Sequence, residues 1–318
     1  MSNKKLVLLF AAFALVYLST VGTYRLVFMS DPILWDVIDL SGNEGTGDAH
    51  LLRFPDGHTV LIDTGSRRQA SSELMLYLHK SGVSHLHQLI ISHAHSDNYG
   101  GIPVLLENAI KIDEILFYLP DPDVCNADQV DGGCQWEELD VMIGAMKRLR
   151  QELHFMATGD VLYHDPEREI SLVVLYTHDG ISPPIGRTSI NDTSLVAMLH
   201  YGRQRALFTG DLGDHASDWL LSRSVNVQAN LVTVPRHGMG EDKNHRFLNA
   251  VDAETAIATA SEAVWQSDAV ESTRDYFSDR DIPVFVNGIH GHLQISLRPR
   301  DFEVRGGYAP PAFSEGTF

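Results

Sequence analysis

The stretch Ile91-Ser92-His93-Ala94-His95-Ser96-Asp97-Asn98-Tyr99-Gly100-Gly101 constrains this chain more than any other. The mostly apolar run before it, residues 86–91, predicts a short buried strand. Residues 102–107 after it, with Pro103 near the first turn, predict a helix start. The loop between them therefore stands at a strand's carboxyl end and carries two His and one Asp at i, i+2 and i+4. An i, i+2 pair in extended backbone points to one side, and Asp97 lies on the turn beyond, within reach of the same space. Two imidazoles with a carboxylate form a ligand set for zinc, manganese or iron. The plainer alternative is a surface loop that merely carries these residues. Strand, ligands, paired glycines and helix in that order argue against it.

The rest of the chain bounds the setting. Its 318 residues can bury a large core, as one sizeable α/β domain or two small ones. With 24 Lys+Arg against 42 Asp+Glu, the formal charge is −18. Such a chain repels a phosphate backbone, which disfavours non-specific nucleic-acid binding. A nuclease is not excluded, because bound cations reverse the local field. Lys4 and Lys5 precede an uncharged, mostly apolar stretch, residues 6–24, and Arg25 follows. This predicts a secretory signal peptide or a single membrane anchor over residues 1–30. No plain small-x-small cleavage site is present, so an uncleaved anchor is preferred. The basic end then stays inside and the domain is extracytoplasmic, periplasmic or extracellular; cleavage would make it secreted. Cys125 and Cys134, even in number and closely spaced behind an export signal, predict a disulfide closing a small loop; two free thiols are the alternative.

Strands are predicted over 33–40, 49–54, 59–63, 115–119, 161–163, 171–176, 195–200, 206–209, 229–234, 255–259, 282–286 and 293–297, and helices over 69–80, 136–153, 212–221, 244–250 and 269–278. Gly-rich residues 41–48 read as a tight hairpin turn rather than a phosphate cradle. Residues 179–187 read as a loop, and 306–318 as a disordered tail beyond a domain spanning 31–305. Hairpins followed by alternating strands and helices, repeated in the second half, predict two mixed sheets face to face with helices outside. Polar residues recur at strand ends, where they tend to meet on one edge.

Three motifs in order carry a resemblance. Asp63-Thr64-Gly65, His93-x-His95-x-Asp97 with Gly100-Gly101, and Phe208-Thr209-Gly210-Asp211 resemble the metallo-β-lactamase superfamily. Gly47-Asp48-Ala49, Asn191-x-Thr193-Ser194-Leu195-Val196 and Pro235-Arg236-His237-Gly238 are similar to the extracytoplasmic metallo-hydrolase domain of ComEC-type competence proteins. The resemblance implies a four-layer αββα sandwich in the α/β class, with one or two ions, zinc or manganese, at one edge. It implies hydrolysis by metal-bound hydroxide, often of phosphodiester or other ester bonds. His93 and His95 resemble ligands of a first metal, Asp97 of a second, and Asp211 the bridging carboxylate. His237 resembles a ligand or the proton donor to a leaving group, and Asp97, Asp211 and His237 are the expected catalytic residues.

The chain departs from the pattern at several positions. Asn98 stands where the motif has His, and an amide is a weaker ligand. Asp192 is a candidate replacement for a His that the family carries before the strand pair ending in Asp211; a turn cap is the alternative. Arg236 replaces a His and is a candidate to neutralise phosphate. Asp63 reads as a support for the ligand loop or as a strand-end turn residue. His290 and His292 read as residues that close the site or as surface histidines, and His85, His87 and His245 as solvated. The expected function is a membrane-anchored, metal-dependent phosphodiesterase or nuclease. The alternatives are a hydrolase of a non-phosphate ester, lactone or lactam, and a non-catalytic binding module with a degraded metal site.

Overall fold

In the computed structural model, residues 31–40, 42, 45–126, 133–179, 189–239 and 244–310 are described, with Tyr17. Hairpins build the first sheet: β1 (Ile33–Val37), β2 (His50–Arg53) and β3 (Thr59–Ile62) pair antiparallel in turn. β4 (His85–Ile91), β5 (Lys111–Phe117) and β6 (Leu153–His154) add in parallel. The second sheet repeats that plan. β7 (Val161–Asp165), β8 (Ile170–Tyr176), β9 (Val196–Tyr201) and β10 (Gln204–Phe208) are antiparallel, and β11 (Leu231–Thr233), β12 (Thr255–Ser261) and β13 (Val284–Val286) follow in parallel. β14 (Leu293–Leu297) and β15 (Phe302–Arg305) return to the first sheet, where β14 pairs with β1. The sheet orders are β15-β14-β1-β2-β3-β4-β5-β6 and β13-β12-β11-β10-β9-β8-β7.

Burial divides the structure into the expected four layers. Trp35, Phe54 and Ile62 of the first sheet meet Leu172, Phe208 and Leu231 of the second in a dry middle layer. On the outer face of the first sheet, Leu51, Leu61 and Leu89 pack against a helical layer. That layer comprises α1 (residues 67–80), α2 (Ser96–Tyr99), α3 (Ile102–Glu107), α4 (Pro122–Asn126) and α5 (Trp136–Arg148). Met198, Leu207 and Val232 do the same against α6 (Asp214–Ser222), α7 (Asn244–Val251), α8 (Glu262–Trp265) and α9 (Glu271–Ser278). The last helical turn, α10 (Asn287–His290), joins β13 to β14. The parallel strands are covered on both faces, which explains why the second half of β4 is an unbroken apolar run.

Several elements differ from expectation for local reasons. α1 starts at residue 67 because Ser66 and Gln69 form a reciprocal capping box. α5 ends at Arg148 rather than 153: Arg150 takes φ 57° and the chain reverses, so that Leu153 can pair with Ile115. β5 begins at Lys111, its charged first half being exposed on alternate residues. β15, with its short Phe-Glu-Val-Arg alternation, was not expected. Of the expected turn over 41–48, Ser41, Asn43 and Glu44 lie outside the described residues, and Gly42 with residues 45–48 does not form a tight hairpin. These last lie in a long connection from β1 to β2 that crosses to the other sheet, where Thr46 bridges Ala260 and Ser261 N donates to Gly45 O at 3.1 Å.

Cys125 and Cys134 form the expected disulfide, both buried, between α4 and α5. Among the described residues no helix is long and apolar enough to cross a membrane; residues 6–24 lie outside them apart from Tyr17. Residues 180–188 of the expected 179–187 loop, and 311–318 of the expected tail, also lie outside. Past residue 305 the chain is still docked, with Gly307 N and Tyr308 N donating to the carbonyls of His290 and His292. The disulfide's sequence separation of 9 sets the stability it contributes through the unfolded chain. Reducing it, or substituting Cys125→Ser with Cys134→Ser, is expected to lower unfolding free energy by about 2–3 kcal/mol. Denaturant titration with and without reductant checks this.

Candidate metal centre

Four strand ends, one short helix and one long loop converge on a single buried cluster. β4 delivers His93 and His95, the short α2 delivers Asp97 and Asn98, the end of β3 delivers Asp63, β10 leads to Asp211, and β11 leads to His237. The loop from β1 to β2 brings Asp48. The ligand atoms of His93, His95 and Asp211 lie within 4.8 Å of one another, and so do those of Asp48, Asp211 and His237. Asp211 belongs to both groups. Its Oδ2 is 3.6 Å from His93 Nε2 and 4.0 Å from His95 Nδ1, and its Oδ1 is 3.4 Å from His237 Nε2.

Each side chain is aimed by a neighbour. Asp63 sits at φ 61°, a left-handed backbone position, and its Oδ1 accepts from Ser92 N at 2.7 Å. Ser92 Oγ in turn meets His93 Nδ1 at 2.9 Å, leaving Nε2 facing Asp211. Asp63 thus supports the ligand loop, as one of its two expected readings had it. His237 Nδ1 lies 2.7 Å from the carbonyl of Thr259, which fixes that nitrogen as donor and turns Nε2 inward. His237 and Arg236 both take positive φ, 57° and 54°, a costly conformation for side-chain-bearing residues and one concentrated at functional sites. Trp35 Nε1 donates to His50 Nδ1 at 3.2 Å, so that His50 Nε2 carries the proton and faces Asp48 Oδ1 at 4.0 Å.

The paired glycines let α2 and α3 press against the chain after β3. A Cβ on Gly101 would lie 2.6 Å from Ala70 Cβ and 2.7 Å from Thr64 O; one on Gly100 would lie 2.4 Å from Ser96 O. This close approach lets Thr64 N and Oγ1 both donate to the Asn98 carbonyl, at 2.8 and 2.7 Å.

The other predicted residues are placed as follows. Asp97 lies outside both ligand groups; its Oδ2 accepts from Thr46 Oγ1 at 2.7 Å. Asn98 Nδ2 is 3.4 Å from His93 Nε2 and 3.4 Å from Asp97 Oδ1. Asp192 is not a ligand: its Oδ1 accepts from the His215 and Ala216 amides at 3.0 and 3.1 Å and so caps α6. His290 is not in the cluster either, its Nδ1 lying 2.9 Å from Val286 O, and His292 Nδ1 accepts from Asp39 N at 2.8 Å. The residue not foreseen as a ligand is Asp48. Its place in a Gly-rich run concealed it, although Gly47-Asp48-Ala49 was part of the recognised pattern.

The electrostatics call for a cation. Asp48, Asp63 and Asp211 are all buried, and two like charges about 4 Å apart repel by about 4 kcal/mol at an effective dielectric of 20. Burial, then the charge of Asp48, pushes the Asp63 carboxyl well above the usual range. Burial also opposes ionisation of Asp211, but His237, His93 and His95 together hold its carboxyl well below that range. Burial and neighbouring His95 lower His93, keeping its imidazole neutral and able to donate a lone pair. Burial opposes charge on His237, yet Asp211, Asp48 and Asp97 outweigh it and raise this imidazole to about 9. Asp48 Oδ1, Asp211 Oδ1 and Asn98 Oδ1 are buried without hydrogen-bond partners. Orphaned carboxylate oxygens among imidazoles fit a divalent ion of the zinc, manganese or iron kind.

Residues 42–115 match the sequence model of the metallo-beta-lactamase superfamily, a span that holds Asp48, Asp63 and the His93-to-Asp97 motif. This is a metallo-β-lactamase fold. The chain is 26% identical over 247 residues to "ComE operon protein 3" of Bacillus subtilis, covering 71% of this chain and 28% of that protein. It is 23% identical over 258 residues to "Competence protein ComA" of Neisseria gonorrhoeae, covering 80% and 31%. The chain therefore spans about a third or less of the length of these relatives. Among solved structures, CmlA, a diiron β-hydroxylase from Streptomyces venezuelae, shares the metallo-β-lactamase fold at TM-score 0.50 and 12% identity, over 84% of this chain and 54% of that one.

Two outcomes follow for this domain. Asp48→Ala is expected to weaken metal retention at least about 10-fold while the chain stays folded, read by dialysis against chelator and elemental analysis. Gly101→Ala is expected to lower stability by about 1–3 kcal/mol in denaturant unfolding, because backbone must move to admit the methyl.

Proposed function

We propose that the chain is a metal-dependent hydrolase of phosphodiester bonds. The observation that carries this reading is the convergence of two His/Asp groups on Asp211, with buried carboxylate oxygens of Asp48 and Asp211 left without partners. His93, His95 and Asp211 would hold one ion, and Asp48, Asp211 and His237 a second. A dication held there supplies an acidified water, its pKa brought from about 15.7 toward about 7, and an anchor for developing negative charge.

The remaining work falls to the chain's own groups. Asp63 and Ser92 keep His93 in one orientation, and Thr259 keeps Nε2 of His237 turned toward Asp211. Thr46 holds Asp97 beside the cluster, where its carboxylate can orient a water. Arg236, next to His237, offers a guanidinium to a substrate phosphate. Asp48 contributes a carboxylate in a motif where Asn98 withholds an imidazole, which supports two-ion loading despite that substitution. The likeness to two proteins named for competence accords with a domain displayed outside the cytoplasm on an anchor formed by residues 6–24. The chain's charge of −18 favours a second reading, a neutral or cationic ester, lactone or lactam as substrate.

The purified chain, loaded with zinc or manganese, is expected to hydrolyse bis(p-nitrophenyl) phosphate and single-stranded DNA in preference to nitrocefin or a lactone. Asp211→Asn is expected to lower kcat/KM at least about 100-fold, since it removes charge from both ion positions. Chelator should abolish turnover and added metal restore it. Metal demonstrably bound with no turnover on any of these substrates would leave a binding module as the correct reading.

A further inference from the structure

At the opposite end of β4 from the candidate centre lies a second group of metal-ligating side chains. β4 begins with His85 and His87, which point to one side as an i, i+2 pair. Their rings are 4.4 Å apart, and His58, from the turn before β3, stacks on His87 at 4.3 Å with 27° between planes. From β5, Asp113 Oδ2 reaches to 2.7 Å from His85 Nε2. The ligand atoms of His85, His87 and Asp113 all lie within 4.8 Å of one another. Six residues of extended chain separate His87 from His93, about 20 Å at 3.3 Å per residue, so no ligand is shared with the other centre.

We propose that His85, His87 and Asp113 bind a divalent transition metal of the zinc or nickel type, separate from the hydrolytic site. Two imidazoles and a carboxylate are the donor set such ions take, with the fourth position left to water. The expectation that these histidines are merely solvated overlooked their packing.

Three features make the group a site rather than a chance ion pair. First, His87 is held in place by Thr59, which offers Nδ1 an acceptor as well as a donor. Thr59 presents both its amide N–H and its hydroxyl oxygen to His87 Nδ1, each at 3.0 Å, and the hydroxyl gives its own proton to the carbonyl of His85 at 2.9 Å. When an ion takes Nε2, the proton moves to Nδ1 and is donated to Thr59 Oγ1, the Thr59 amide giving up its acceptor. Second, positive charge is already drawn here. Lys111 Nζ lies 2.7 Å from Asp113 Oδ1 and 3.4 Å from His85 Nε2. One Nε2 cannot both accept from the ammonium and donate to Asp113, whereas a metal between them satisfies His85 and Asp113 together. The lysine side chain is 67% exposed and leaves easily. Third, opening the His85–Asp113 distance from 2.7 Å to the about 3.4 Å of two tetrahedral ligands needs only small rotations of side chains that are 36% and 42% exposed. The bound ion would tie the amino end of β4 to β5 and brace the strand that presents His93.

The test uses the untagged, chelator-stripped chain dialysed against zinc or nickel, with bound metal measured by elemental analysis. The variant His93→Ala/Asp211→Asn/His237→Ala, which takes ligands from both ion positions of the hydrolytic centre, isolates the new site and is expected to retain one equivalent, which His87→Ala added to it removes. Lys111→Ala is expected to tighten that equivalent several-fold, an effect that a simple ion pair would not produce. In the otherwise native chain, His87→Ala should lose one equivalent and keep its hydrolytic rate. Equal metal content with and without His87→Ala, in variants folded by circular dichroism, overturns the proposal. So does unchanged affinity in Lys111→Ala, which stands as a test even if His87→Ala fails to fold.

Discussion

Mutual repulsion among buried carboxylates is the constraint on which the rest of this structure depends. Asp48, Asp63 and Asp211 come from three separate segments and meet where the two sheets share an edge. No arrangement of apolar packing can offset negative charge held out of water, and Asp63 answers by keeping its proton. Imidazoles answer part of this charge, with His237 carrying a proton between Asp211 and Asp48. A proton and a metal ion compete for that imidazole, so the same groups that strain the folded chain give it a strong preference for a dication. The surrounding devices, from the left-handed turns at Asp63 and His237 to the capping of α6 by Asp192, hold backbone around this one electrostatic demand.

Much of this was legible in the sequence because the demand is written locally. His93, His95 and Asp97 sit on five consecutive residues between a strand and a helix, and the period of the flanking apolar residues says which is which. The four layers follow from hairpins giving way to alternating strands and helices. What escaped was written over long distances. Asp48 looked like a turn residue because nothing local shows that its loop crosses to Ala260. Asp192 read equally as a ligand or a turn cap because its partners, the His215 and Ala216 amides, lie more than twenty residues away. Residues 149–153 continue a helical pattern, and only the pairing of Leu153 with Ile115 explains why the helix stops first. His85 and His87 read as polar strand ends until His58 and Asp113 are placed around them.

The two ends of β4 show how one strand can serve two polar purposes without conflict. Its last three residues are buried and apolar, and Gln88 before them meets the Glu114 carboxylate through a neutral amide. Charge at one end is therefore isolated from charge at the other by a dry run of chain. Asn98 belongs to the same logic. An amide brings no charge, and the carboxylate that Asp48 adds enters from a different segment, so the motif can lose an imidazole while the cluster keeps its donors.

The pairing of β14 with β1 has a consequence for how the molecule is made. Ile33 lies opposite Leu297, so β1, made early, waits for β14 before its sheet is complete. The residues of the centre are divided in the same way, with Asp48, His93 and His95 early and Asp211 and His237 late. A nascent chain therefore holds half a ligand set, open to water and to wrong pairings, until the later residues follow. A competent centre arises only once Asp211 and His237 have joined the earlier residues, so a chain held unfolded until then captures no ion.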